Sequence, residues 1–229
     1  MDRIRGADGR ELLVRVIGPG LALCAVVLGM GLILTGPLAT TLRAEDGIVQ
    51  ALASHRTSTW NSITFYWSHI GNIEWVIAVC LAGAGLLLWW TRDWRLAAVP
   101  CLAVLLQFVI FDTVSTLVAR ARPPVKELAL APPTASYPSG HVSATSALYV
   151  TFAMLAAARL QPGWLRRLVV VVAVAIPLLV GFARLYEGMH HVTDVAAGLL
   201  NGITCALLAL NWYRHSSGPA DAQGTSRVF

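Results

Sequence analysis

Three short polar segments interrupt an otherwise apolar chain, at residues 120–124, 137–141 and 184–194. They hold arginines, histidines, a serine and an aspartate, which are costly to place in or beside a lipid bilayer. Guanidinium groups bind phosphate oxygens, imidazoles act as nucleophiles and as acids, and a carboxylate can orient an imidazole. These residue types point to phosphoryl transfer, provided that the three segments meet.

The third segment holds the candidate nucleophile, His190, and a candidate carboxylate, Asp194. Residues four apart at a helix start share one face, so Asp194 is expected to hold one nitrogen of His190. That contact would fix the tautomer and raise the nucleophilicity of the other nitrogen. His191 lies three residues from Asp194 and is an alternative partner, and a plain ion pair at a helix start is an alternative interpretation.

The second segment, Ser139-Gly140-His141, follows a proline and precedes a long apolar run. We expect Ser139 to cap the following helix, whose first-turn amides would form an anion site. Gly140 would let an oxyanion approach the main chain closely, and His141 could give a proton to a leaving oxygen. Taken alone, the segment would also fit an ordinary serine cap with a surface histidine.

Arg122 and Arg184 each offer a planar fork of N–H donors to phosphate oxygens. Either one alone would fit an arginine that extends along the bilayer surface to reach lipid headgroups. That alternative loses weight when two arginines, two histidines, a Ser-Gly turn and an aspartate share one face of the membrane.

Composition places the chain in the bilayer. Of its 229 residues, 56% are hydrophobic and 13% are charged, against about 25% charged in soluble domains. The net charge of +5 does not indicate nucleic-acid binding, because the 17 basic residues are scattered and form no single stripe. The four cysteines lie within apolar runs and are interpreted as small core residues, neither disulfides nor metal ligands.

The apolar runs predict an all-α fold class, a polytopic membrane protein with six transmembrane helices in one domain. An aromatic and charged segment at 36–72 is too polar to span and is expected to be an interfacial helical segment. Residues 1–15 are expected to form a cytoplasmic N-terminus, 16–213 the membrane domain and 214–229 a disordered cytoplasmic tail. The predicted spans are 16–34, 73–90, 96–119, 141–160, 168–185 and 192–213.

The distribution of basic residues predicts the orientation. With the N-terminus inside, eleven basic residues fall on the inner side and six on the outer side. This topology puts all three polar segments at outer helix ends: Arg122 follows span three, His141 opens span four, Arg184 closes span five and His190 precedes span six. We therefore expect a multi-pass protein of the cell membrane, with both termini in the cytoplasm and the active site facing outside.

With these residues in place, the sequence resembles the type 2 phosphatidic acid phosphatase (PAP2) superfamily of membrane lipid phosphatases. That family has three motifs, Lys-x6-Arg-Pro, Pro-Ser-Gly-His and Ser-Arg-x5-His-x3-Asp. The second motif is intact at 138–141, and the third is present from Arg184 to Asp194 with Ala183 in place of its serine. The first keeps Arg122 and its proline but has Ser115 where the family has lysine.

The resemblance implies a metal-independent phosphatase without a cofactor. By it, His190 would attack phosphorus and form a phosphohistidine, Asp194 would orient His190, and His141 would protonate the leaving group and later activate water. The substrate-binding residues would be Arg122, Arg184, Ser139 and Gly140.

Two residues are left over from this pattern. Arg120, two residues before Arg122, is expected to supply the phosphate-binding charge that the family's lysine would give, with Lys126 as second choice. Asp112 lies well inside the third span, near the helical face of Ser115. We expect Asp112 to support the basic cluster from below or to stay protonated, since intramembrane carboxylates usually have a partner.

The leading hypothesis is a lipid phosphatase whose substrate head reaches the outer cluster while acyl or prenyl tails lie between the helices. Candidate substrates are undecaprenyl diphosphate, phosphatidate and phosphatidylglycerol phosphate. A non-catalytic lipid-phosphate binder or transporter is a second class, disfavoured because binding needs neither a nucleophile nor a separate acid. A vanadate-dependent haloperoxidase shares this type of pocket but is soluble, and the predicted spans disfavour it.

Overall fold

The computed structural model describes residues 9–39, 44–129 and 134–216, and all regular structure in these ranges is helical. The first helix includes a π-helical stretch, Leu13–Ile17. In chain order the helices are α1 Gly9–Thr35, α2 Ala44–Ser54, α3 Ser58–Ile70, α4 Ile73–Thr91, α5 Trp94–Val118, α6 Gly140–Arg159, α7 Trp164–Tyr186 and α8 Val192–Ser216.

Within the described residues, six helices are long and apolar enough to cross a membrane, namely α1 and α4 to α8. The prediction of six spans and an all-α fold is therefore confirmed. Two helices begin at least four residues earlier than predicted, α1 at Gly9 and α7 at Trp164, because polar and charged residues need not end a helix once it has left the apolar layer. Residues 1–8 and 217–229, which hold most of the predicted termini, lie outside the described residues.

The predicted interfacial segment consists of two helices, α2 and α3, with a break at residues 55–57. Thr57 caps α3, because its hydroxyl accepts a hydrogen bond of 3.2 Å from the amide of Trp60. Next to it, Arg56 donates two hydrogen bonds to the carbonyl of Tyr186, at 3.1 and 2.8 Å, and one to the carbonyl of Lys126 at 2.6 Å. These bonds attach the break to the C-terminal end of α7. That end lies on the side of the helical bundle where α6 and α8 begin, and we call this side the site end.

The packing of α6 against α8 depends on two glycines, Gly198 and Gly202. A Cβ atom on Gly202 would lie 2.3 Å from the carbonyl oxygen of Ser143, and one on Gly198 would lie 2.8 Å from that of Ser139. Small residues four apart let two membrane helices approach closely. This contact brings the first turn of α8 against the first turn of α6, so the second and third polar segments meet.

Buried hydrogen bonds tie further elements to this pair. The amide group of Asn201 on α8 donates to the hydroxyl of Ser143 and to the carbonyl of Gln107, both at 3.3 Å. Tyr137, fully buried in the loop before α6, donates its hydroxyl to the carbonyl of Val27 on α1 at 2.9 Å. The loop that precedes His141 is therefore anchored to the first span.

Asp112 does not support the basic cluster, and that expectation is wrong. Its side chain is exposed on α5 and makes no hydrogen bond or ion pair with any described residue. Ser115, three residues later, is buried and donates to the backbone carbonyl of Asp112 at 3.2 Å. Three residues turn a helix by about 300°, and this offset is enough to put one side chain inside the bundle and the other on its surface.

Replacing Gly202 with alanine should destabilise the fold, because the new Cβ meets backbone atoms of α6. Overpacking of this kind costs about 1–3 kcal/mol. Thermal unfolding of the purified protein in detergent measures the effect. Gly85→Ala is the matched control, since nothing lies within 4 Å of a Cβ at Gly85 on α4. Equal unfolding temperatures for the two variants would contradict the close α6–α8 contact.

Candidate active site

A cavity of about 990 Å³ opens at the site end and extends between α4 and α5. Its polar end is lined by His141, His190, Arg122, Arg184 and Glu187. Its other end has apolar walls, formed by Val76, Ile77, Leu81, Val104, Leu105 and Phe108. The structure thus brings together residues from all three polar segments and continues their site into an apolar compartment.

His190 is buried, and its ring is oriented by a backbone carbonyl. Nδ1 lies 2.7 Å from the carbonyl oxygen of Ser136. A carbonyl can only accept, so Nδ1 carries the proton and Nε2 keeps its lone pair. Burial, and then the charge of Arg184, lowers the pKa of His190 to about 3. The ring is therefore neutral at ordinary pH, in the tautomer that leaves Nε2 as a nucleophile.

His141 opens α6, and its partner comes from a different part of the chain. Its Nε2 lies 3.0 Å from Oδ1 of Asn72, the residue that precedes α4. With the amide oriented in this way, the oxygen accepts and Nε2 carries the proton. Asn72 also lines the cavity, so a proton donor and its holder lie together at the cavity wall.

Arg184 is buried at the end of α7 and is held by α3 and by the residue that ends its own helix. Its Nη1 donates to the hydroxyl of Ser68 at 2.8 Å and to the carboxylate of Glu187 at 2.9 Å. Burial raises the pKa of Glu187, although Arg184 and Ser68 favour its ionised form. The Nε of Arg184 has no hydrogen-bond partner among the described residues, so one buried donor at the cavity is unused.

Arg122 is held by the backbone on either side of the cavity. Its Nη1 donates to the carbonyl of Met189 at 2.7 Å, and its Nη2 donates to the carbonyl of Thr134 at 3.2 Å. Glu127 is 3.8 Å from its Nε. Burial lowers the pKa of Arg122 from its ordinary value, but an arginine remains protonated in proteins. The guanidinium is therefore a fixed positive charge beside His190.

Asp194 does not contact His190 in the way that the four-residue spacing predicts. Its Oδ2 is 3.9 Å from Nδ1 of His190, too far for a hydrogen bond. The same oxygen is 3.1 Å from Nδ1 of His191 and accepts from the hydroxyl of Ser136 at 2.5 Å. The correction has a local cause: Asp194 turns toward the His191 amide, from which it accepts at 2.8 Å as it closes the first turn of α8. Asp194 is therefore linked to His190 by hydrogen bonds through Ser136, and its charge lies 3.9 Å from Nδ1 of the ring.

Arg120 is also placed differently from the prediction. It does not line the cavity. Its Nη1 donates to Asp194 at 2.5 Å and to the hydroxyl of Thr193 at 2.6 Å. A fully buried carboxylate demands a cation, and this demand directs Arg120 to Asp194 and away from a phosphate. The expectation that Arg120 replaces the family's lysine is wrong for this geometry.

The Ser139-Gly140 turn is where the sequence predicts it, but two details differ. Ser139 precedes α6 without a side-chain cap, and its buried hydroxyl has no partner among the described residues. The space that Gly140 leaves open is filled by the ring of Phe111, 2.9 Å from where a Cβ would be. The glycine thus permits helix packing. Gly140 and His141, whose amides have no intrahelical acceptor, both line the cavity.

Sequence reasoning missed Ser136, Asn72, Ser68 and Glu187. Ser136, Asn72 and Ser68 are far along the chain from their partners and fall on no periodic pattern. Glu187 is three residues from Arg184, a helical spacing that could have indicated the ion pair. Asn72 carried one usable signal, its place just before an apolar run, where asparagine caps helices. In the described ranges, no group of three or more His, Cys, Asp or Glu side chains is placed so as to hold a metal ion.

Comparisons with known proteins agree with this architecture. A family model described as PAP2 superfamily matches residues 94–217. The fold is similar to the crystal structure of the first transmembrane PAP2-type phosphatidylglycerolphosphate phosphatase from Bacillus subtilis, with a TM-score of 0.73, 21% identity, and coverage of 85% of this chain and 96% of that one. It is also similar to LpxE from Aquifex aeolicus, with a TM-score of 0.56, 18% identity, and coverage of 72% and 93%. No curated protein matches the sequence significantly.

The buried, neutral state of His190 predicts a pH-dependent stability. In the unfolded chain this histidine takes a proton near pH 6.5, whereas in the folded protein its pKa is about 3. Between these values the unfolded state binds the extra proton, so stability falls as the pH falls below about 6.5. By pH 5 the loss reaches about 2 kcal/mol.

Thermal unfolding of wild type and His190→Asn at pH 7 and pH 5 measures this contribution. The wild type should lose more stability on acidification than the variant. His55→Asn, which removes an exposed histidine on the surface of the site end, should behave like wild type. If the two variants and the wild type lose the same stability, His190 is not held neutral by burial.

Proposed function

The chain belongs to the PAP2 superfamily, whose family model covers more than half of it, and we propose that it is a membrane lipid phosphatase that acts through a phosphohistidine intermediate. One observation carries the proposal. A single cavity holds two imidazoles and two guanidinium groups at its polar end and has apolar walls beyond them. The charged end would fit a phosphate head, and the apolar end would fit a lipid tail.

His190 would be the nucleophile. Its Nε2 would attack phosphorus and form an N–P bond while the bond from phosphorus to the lipid oxygen breaks. The Ser136 carbonyl, at 2.7 Å from Nδ1, supports this role. It fixes the reactive tautomer and stabilises the positive charge that the ring gains in the attack.

His141 would be the general acid and then the general base. Protonated when the phosphate is bound, it would give its proton to the departing lipid oxygen. It would then take a proton from water, whose oxygen attacks phosphorus, breaks the N–P bond and regenerates neutral His190. The contact of Nε2 with Asn72, at 3.0 Å, supports this role because it puts the proton at the wall of the cavity.

The phosphate oxygens would be bound by Arg122, Arg184, the amide of Gly140 and the hydroxyl of Ser139. Nε of Arg184, which lines the cavity, lacks a partner in the described residues and favours this assignment. The hydroxyl of Ser139 is also buried without a partner in those residues, but Ser139, which precedes Gly140, does not line the cavity. Most buried donors in folded proteins are paired. The start of α6 adds the positive end of a helix dipole.

The lipid tail would enter sideways. Leu81 on α4 and Leu105 on α5 both line the cavity, yet they are 62% and 61% exposed. The wall between these helices is therefore open toward the lipid-facing surface, and a tail could pass from the bilayer into the apolar end. Undecaprenyl diphosphate is one candidate substrate, and phosphatidate or phosphatidylglycerol phosphate is the alternative.

The excess of basic residues in the segments away from the site end supports an orientation with both termini in the cytoplasm. The active site would then face the outer side of the cell membrane. Membrane lipids and the lipid phosphate would be its partners, and no metal ion would take part in the reaction.

His190→Ala should abolish phosphate release from a lipid phosphate, by at least about 10³-fold, as expected for loss of a nucleophile. The assay uses purified protein in detergent with a chelator, and a panel of prenyl monophosphate, prenyl diphosphate, phosphatidate and phosphatidylglycerol phosphate. With the preferred phosphate labelled at phosphorus, acid quenching destroys an N–P bond while alkaline quenching preserves it, so wild type should retain label only after alkali. His55→Ala is the histidine control. A wild type that binds these lipids but releases no phosphate would indicate a binder or transporter.

The effect of replacing His141, the proposed general acid, should depend on the leaving group of the substrate. His141→Ala should lower the rate strongly with an alkyl phosphate, whose departing oxygen needs a proton, and much less with a nitrophenyl phosphate, whose departing oxygen does not. Both rates are measured as kcat/KM on the same preparations. An equal loss with the two substrates would show that His141 does not protonate the leaving group.

A further inference from the structure

The first turn of α2 is docked on the first turn of α8 by two acidic residues. Glu45 is buried, and its Oε2 accepts from the amide and the hydroxyl of Thr193, at 2.9 and 3.0 Å. Its neighbour Asp46 contacts Nε2 of His191 at 3.1 Å. An acidic pair near a helix N-terminus is favourable in itself. The Asp46 contact is of further interest because His191 is adjacent to the proposed nucleophile, His190.

His191 lies between two carboxylates. Its Nδ1 is 3.1 Å from Oδ2 of Asp194, and its Nε2 is 3.1 Å from Oδ1 of Asp46. Each ring nitrogen is thus within hydrogen-bond distance of a carboxylate oxygen. The side chain is buried, with 7% of the residue's surface exposed. The ring therefore joins α2 to Asp194 through its two nitrogens.

The chain of contacts continues to the nucleophile. Asp194 accepts from the hydroxyl of Ser136 at 2.5 Å, and the carbonyl of the same Ser136 accepts from Nδ1 of His190 at 2.7 Å. Neither Asp46 nor His191 lines the cavity of the proposed active site. A path of hydrogen bonds thus runs from α2 to His190 without touching the space for the substrate.

We propose that Asp46 and His191 are positioning residues, which hold Asp194 and Ser136 so that the Ser136 carbonyl orients His190. The proposal rests on the proposed function. It assigns α2 a part in catalysis, since removing its link to Asp194 loosens the group that fixes the tautomer of the nucleophile.

The contact between Asp46 and His191 is where this link can be cut. An amide at position 46 would keep the shape of the side chain but remove the negative charge that strengthens its hydrogen bond with the ring. The charged or titratable groups that surround the ring are Asp46 and Glu45 from α2, Arg120 and Arg122 from the loop after α5, Asp194 from α8 and His190 beside it.

The test compares Asp46→Asn and His191→Gln with wild type, using kcat and KM at pH 7 on a short-chain lipid phosphate. Asp46→Asn should lose about tenfold in kcat, with KM within twofold of wild type and an unfolding temperature near that of wild type. His191→Gln should lose at least as much kcat. The double variant should be no worse than His191→Gln, because both residues act through one path.

His55→Gln is the matched control, since this exposed histidine follows α2 directly and its Nδ1 contacts only the helix end, at Ser54 and Ala51. It should leave kcat and KM unchanged. An Asp46→Asn enzyme whose kcat falls in step with a lower unfolding temperature would reduce Asp46 to a structural role. A raised KM with unchanged kcat, or no change at all in an active enzyme, would also overturn the proposal.

A wild type that releases phosphate from no lipid phosphate refutes the proposed function and leaves the link to be tested directly. With ¹⁵N-labelled histidine, the ring nitrogens of His190 should report one tautomer, with the proton on Nδ1, in the wild type and a mixture of both tautomers in Asp46→Asn. The same single tautomer in both proteins overturns the link whatever the activity.

Discussion

The structure at the site end depends on the burial of one carboxylate. Asp194 is fully buried in the first turn of α8, and an unpaired charge there would cost far more than the fold can supply. Its oxygens therefore collect a guanidinium from the loop after α5, an imidazole and an amide from His191, and the hydroxyl of Ser136. Satisfying this one group draws three separate segments into contact, and the ring of His190 is held by the backbone of the same Ser136.

The bilayer sets a second condition, since every polar group at a helix end must find a partner within the protein. The helices α2 and α3, with the break between them, supply such partners because they pack over the site end. Glu45 caps α8, Arg56 binds the last carbonyl of α7, and Ser68 shares Arg184 with Glu187. These two helices do not span, yet they and the break between them supply partners to the ends of α7 and α8 that face the site. The polar segment between the first two spans is part of the site's support.

The sequence was sufficient for the features that depend on periodicity and local spacing. Six apolar runs predicted six helices, and the alternation of helix ends predicted that His141, His190, Arg122 and Arg184 would share one cavity. The hydrogen-bond and ion-pair partners of individual side chains were harder to predict, because they depend on the rotation of each helix and on contacts between distant parts of the chain. Asp112 turned outward although its helical face was only about 60° from that of Ser115. Arg120 went to Asp194, since the energetic demand of a buried carboxylate could not be seen before its burial was known.

A buried charge also needs partners at the polar end of the cavity, where the charge is positive. Arg184 is a buried cation, and Glu187 and Ser68 hold its Nη1 while its Nε stays unused among the described residues. The guanidinium is thus oriented before any anion arrives. Its charge is only partly offset, because burial raises the pKa of Glu187 and so disfavours the ionised form of that carboxylate. An anion that binds Nε would compete with Glu187 for the same guanidinium without needing to reorganise it. Preorganised charge can act on a transition state as well as on a bound anion. Under the proposed function, the geometry that makes the buried arginine stable would also let it stabilise charge on the transferring phosphoryl group.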